Sequence, residues 1–133
     1  MLLFLLVLLG VPLAAHVWAQ RHAPGHVGLI TGLAFGTIAD PLSLAVYGLG
    51  MIVPPLLLPG LLLSDVHGAP GYNLALAAHV IQPGVVYSDL WTASFFWTSL
   101  LSAVVWTPIY GTAGWLWDRV QVGVLNVRHW RES

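Results

Sequence analysis

Between Val27 and Leu63 the chain carries one charged residue, Asp40, and this near-continuous apolar stretch limits the fold more than any other feature. As a single straight helix it would run roughly 55 Å at 1.5 Å per residue, well beyond a hydrocarbon core of about 30 Å. It must fold back or break. Asp40-Pro41, Pro54-Pro55 and Pro59-Gly60 are the places where it can. The double proline is the strongest breaker, because two adjacent rings delete two helix donors and clash with the preceding turn. A helix is therefore predicted over 27–53. Within it, Asp40 reads as an N-cap and Pro41 as a first helical residue, so a kink and a restart are expected at that point.

Composition supports a chain dissolved in lipid rather than water. Charged residues make up 7% and apolar ones 58%, whereas a soluble domain typically carries about 25% charged residues. An all-α integral membrane protein forming one domain over 1–133 is the expectation. The bilayer is its first partner, and other membrane subunits or a second copy of the chain are expected beside it. Four arginines, no lysine and a net charge of -1 provide no basic field, so no nucleic-acid partner is expected. Cysteine is absent, which removes disulfides, thiolate nucleophiles and iron–sulfur ligation. No G-x-S-x-G turn, H-E-x-x-H helix or phosphate loop occurs, and neither an enzymatic activity nor a cofactor is expected.

Three crossings are predicted, near 1–19, 27–53 and 90–117. The first would reach about 28 Å as a helix, and Gly10 and Pro12 can be accommodated within it. It ends in Val17-Trp18-Ala19, which would also suit a signal peptidase, but the terminal amine is the only positive charge before the apolar run. Retention as an anchor is the preferred reading. The last crossing is uncharged from Leu90 to Trp117, with Trp91 at one end and Trp115 and Trp117 at the other, like an interfacial aromatic belt. Residues 54–89 read as irregular, because PPLLLPGLLL is short, SDVHGAPGYN looks like a loop and LALAAHVI is too brief to span. A re-entrant or interfacial segment is expected there, and an interfacial tail over 118–133. Three crossings put Arg21 and the Arg-bearing tail on the cytoplasmic side, as in a bacterial inner membrane. Four crossings, made by splitting at Asp40-Pro41, would require Val27–Ala39 to span with roughly 20 Å of helix.

Two sets of small residues suggest close helix packing. Gly28, Gly32 and Gly36 recur every four residues, and overlapping G-x-x-x-G units let another backbone approach. Ser94, Thr98 and Ser102 form a second stripe at the same spacing, and the two stripes are expected to meet each other or a second copy. Asp40 falls on the glycine face, where an ionisable group marks an ion or proton path if it does not merely cap a helix. Among the six histidines, His22, His26, His67 and His79 are the weak candidates for a metal or cofactor site; Pro24-Gly25 spoils the helical spacing of the first pair. Three functions remain in view. The leading one is an accessory, assembly or structural subunit that acts through helix packing. The others are an oligomeric transporter or channel component using Asp40, and a metal- or cofactor-binding membrane protein using histidines.

Overall fold

The computed structural model describes residues 2–83 and 93–132. It is all-helical, with no strand among the described residues. Helix α1 spans Leu2–His22, α2 Val27–Gly50, α3 Leu57–Ala77 and α4 Ala93–Glu132; short 3-10 turns at Pro24–His26 and Pro54–Leu56 join the first three. Both turns begin at proline, whose fixed φ and missing N–H suit the first position of a helical turn. The double proline does end the second helix, which stops at Gly50, three residues before the expected boundary.

Three expectations are corrected. First, residues 57–77 are a regular helix rather than an irregular segment, and Gly68, Pro70 and Gly71 lie inside it. Second, α2 passes through Asp40-Pro41 without a restart, so Asp40 caps nothing. Pro41 removes the amide that would bond the carbonyl of Thr37, a loss that neighbouring packing can tolerate. Third, the tail is not a separate element, because α4 continues unbroken to Glu132. Residues 84–92, which include Trp91 and the start of the expected last crossing, lie outside the described residues.

Among the described residues, only α1 and the stretch Pro24–Gly50 are long and apolar enough to cross a bilayer by length and composition. Helix α4, expected as the last crossing, does not match them, because Ser, Thr, Trp and Tyr dilute its aliphatic content.

Helix α2 is the centre of the bundle and touches all three others. Leu8 of α1 packs with Leu42 and Ala45 of α2, framed by Phe35 and Ile38. Against α4 the pairing runs from Gly28 with Gly114, through Gly36 with Thr107, to Asp40 with Ser99, which is antiparallel. Against α3 it runs from Gly50 with Leu57 to Ser43 with His67, also antiparallel. Helix α3 meets α4 around His67 and Gly71, against Thr98, Ser102 and Trp106. Glycine permits each approach: a Cβ on Gly60 would lie 2.5 Å from the Tyr47 Cα, and one on Gly71 2.5 Å from the Ser102 backbone nitrogen.

The distribution of polarity is inverted relative to a water-soluble bundle. Among the described residues, Asp40, Ser43, Ser64, His67, Thr98 and Ser102 are buried, while thirty large apolar side chains are exposed, among them Leu3, Leu13, Ile52, Leu58 and Val104. A soluble monomer rarely leaves contiguous apolar surface on that scale.

Candidate functional site

The buried polar groups converge where α2, α3 and α4 meet. Asp40 is 2% exposed, and its Oδ2 accepts a hydrogen bond from Ser99 Oγ at 2.6 Å. Among the described residues its Oδ1 has no partner, and neither has the fully buried hydroxyl of Thr98. An unpaired buried polar atom costs about 1–3 kcal/mol, so two of them in one interior are expensive unless something transient occupies them.

One turn beyond Asp40, Ser43 begins a continuous chain. Its Oγ donates to the Ala39 carbonyl at 2.6 Å and lies 2.6 Å from His67 Nδ1; His67 Nε2 lies 2.8 Å from the Tyr110 hydroxyl. One proton placement uses all three contacts: Nδ1–H donates to Ser43 Oγ, and the Tyr110 hydroxyl donates to Nε2. The imidazole is neutral in that arrangement and keeps a protonatable face toward Tyr110. Ser102 Oγ and Trp106 Nε1 both donate to the His67 carbonyl, at 2.8 and 3.0 Å. The Trp106 and Tyr110 rings enclose the imidazole, with centroids 5.0 and 6.0 Å away. Donors from α4 thereby satisfy a backbone carbonyl within α3 and pin His67 in place.

The glycine stripe and the hydroxyl stripe do not face each other as expected. Gly28, Gly32 and Gly36 lie against the later part of α4: Gly114, then Tyr110 and Gly111, then Trp106 and Thr107. Thr98 and Ser102 instead face Gly71 of α3, a partner hidden in what reads as a loop. Ser94 lies half-buried on the first turn of α4.

The histidine candidates are dispersed in role. His22 Nδ1 donates locally to the Trp18 carbonyl oxygen at 3.0 Å, and the ring stacks on that indole. His26 is exposed at the end of a 3-10 turn. His79 has φ 57°, the left-handed position that closes a helix: its N–H donates to Leu76 O and that of Val80 to Ala75 O. Among the described residues no three His, Cys, Asp or Glu side chains are grouped to hold a metal.

Two functional features had no counterpart in the sequence reading. Tyr110 joins His67 from 43 residues away, and Asp118 caps α2 from α4. The Asp118 carboxylate accepts from the Gly28 and Leu29 backbone N–H groups at 2.7 and 2.9 Å, placing a negative charge on the positive end of the helix dipole. The absence of a side chain at Gly28 is what makes room, since a Cβ there would stand 2.8 Å from the carboxylate.

No protein-family model matches the chain, and neither a curated protein nor a solved structure shows significant similarity to it.

Proposed function

We propose that this chain is a small multi-pass protein of a bacterial cytoplasmic membrane that carries protons through its interior, as one component of a larger transporter or channel. One observation carries the reading: a nearly inaccessible carboxyl, Asp40, has one unpaired oxygen at the centre of a bundle whose outside is apolar. Ionisable groups are costly at such depth and mark ion or proton paths when they face a bundle interior. The hydroxyl–imidazole–phenol chain one turn away consists of groups that exchange protons. Membrane embedding is supported by the inverted polarity and by the length of α1 and α2. Arg21 ends α1 and Arg119 lies beside Asp118, which caps the start of α2, so both arginines sit at one end of the bundle. The positive-inside tendency makes that end cytoplasmic and directs α4 toward the cytoplasm.

Asp40→Asn keeps the shape and the Ser99 contact while removing the ionisable group. In proteoliposomes with a pH-sensitive dye inside, the parent chain is expected to dissipate a proton gradient and the variant to do so at least tenfold more slowly. Equal rates would remove Asp40 from any conducting role.

A second reading, an accessory or assembly subunit, draws on Asp65. This residue is exposed on α3 among the exposed Leu61, Leu62 and Val66, a poor match to lipid and a better one to a polar group on a neighbouring chain. The protein purified in mild detergent is then expected to have a mass above that of one chain or to bring other membrane proteins with it. A strict monomer that copurifies with nothing would count against association.

A further inference from the structure

A groove of about 550 Å³ opens between α1, α2 and α4. Asp118 and Gln121 stand at its rim, at the bundle end that carries Arg21 and Arg119. Its walls include Gly28, Gly32 and Gly114, so the same missing side chains that bring α2 and α4 together also leave space unfilled. One flank is polar: Gln20 Nε2 lies 3.0 Å from His16 Nε2, His16 Nδ1 3.1 Å from Thr31 Oγ1, and Thr31 donates to Val27 O. At the inner end is Tyr110, eight residues before Asp118 and therefore about 12 Å deeper along the helix. Tyr110 belongs to both compartments, since it is among the residues lining the groove and its hydroxyl reaches His67 Nε2.

We infer that this groove is the water-filled entrance to the buried polar chain, and that Tyr110 passes protons from groove water to His67. The inference rests on the proton-carrying function proposed above and adds the route and the side from which protons arrive. The transfer balances without any further reactant. A hydronium ion in the groove gives a proton to the Tyr110 oxygen as that oxygen releases its original proton to Nε2. Water, neutral tyrosine and an imidazolium at His67 result; onward passage then requires Nδ1 to release its proton on the Ser43 side, since the reverse pair of transfers would return it to the groove. A lipid acyl chain is the competing occupant, because the groove also has apolar walls, including Val27 and Phe35.

The chain has no cysteine, so single thiols can be placed without first removing any. Thr31→Cys and Ala113→Cys put a thiol in the groove, and Val104→Cys puts one on the outer surface of α4, where the native residue is 64% exposed. In proteoliposomes, a membrane-impermeant charged methanethiosulfonate is expected to modify both groove thiols at least tenfold faster than the Val104 position. Modification at Ala113 is expected to slow proton flux by a similar factor, and Tyr110→Phe to slow it without altering labelling. Groove thiols that react with a membrane-permeant maleimide but not with the charged reagent would show an acyl chain in the groove and overturn the entrance. Rapid labelling that leaves flux unchanged would also overturn it, while the Asp40→Asn comparison could still support conduction. A parent chain with no flux at all would overturn conduction and, with it, any role for the groove as a proton entrance.

Discussion

Gly36→Leu is expected to destabilise the bundle by at least about 3 kcal/mol, the upper part of the range for overpacking a well-filled contact. A Cβ at this position would lie 2.6 Å from both the Thr107 Cα and the Trp106 carbonyl oxygen. Backbone of a facing helix cannot rotate aside as a side chain would, so α2 and α4 would have to separate. Separation at Gly36 also pulls Asp40 away from Ser99, because both contacts belong to the same antiparallel pair. Gly10→Leu is the matched control, since a Cβ on that α1 glycine meets nothing within 4 Å. There the gain in helix propensity, roughly 0.8 kcal/mol, should leave stability unchanged or slightly raised. Denaturation of purified protein in detergent, followed by far-UV circular dichroism, measures both. If the two variants unfold alike, α2 and α4 are not held at backbone contact.

His67→Phe is the second large effect expected. Phenylalanine keeps a ring of similar size between Trp106 and Tyr110, so the loss is almost purely one of hydrogen bonding. The Tyr110 hydroxyl loses its imidazole acceptor, while Ser43 keeps the Ala39 carbonyl. A buried donor left without its partner costs about 1–3 kcal/mol, and the half-buried Tyr110 hydroxyl, which groove water can reach, is expected near the lower end. The informative measurement is a double-mutant cycle with Tyr110→Phe. If the 2.8 Å contact matters, the double variant should be more stable than the sum of the single losses predicts, by roughly 0.5–3 kcal/mol. Strict additivity would mean that the two side chains do not communicate. Such a result would remove the link on which the relay depends.

The parts of this architecture that could be read from sequence are those encoded by local spacing. Gly28, Gly32 and Gly36 repeat at the interval of a helix face, and the double proline at 54–55 separates α2 from α3. Helix α3 was illegible for a physical reason. Gly68, Pro70 and Gly71 are breakers by intrinsic propensity, yet Gly71 is required because α4 passes against it. What reads as a turn is a helix whose glycine serves tertiary contact. Asp40-Pro41 misled in the same way, since a good cap-and-proline pair is overridden when the carboxyl finds a hydroxyl on another helix. The polar chain was hidden by distance along the sequence: Ser43, His67 and Tyr110 share no interval that a periodicity could detect. Their grouping exists only once three helices have met.

Asp118 has a consequence for the order in which the protein is made. The residue that completes the start of α2 is synthesised 90 residues after Gly28, whose amide it receives. Until then the first turn of α2 must find other acceptors, in headgroups or in water, and cannot settle into its final position. A newly made chain is thus provisional at its second helix until its fourth has emerged and folded back alongside it. A product cut short before residue 118 would keep both apolar helices yet lack the carboxylate that caps the start of the second.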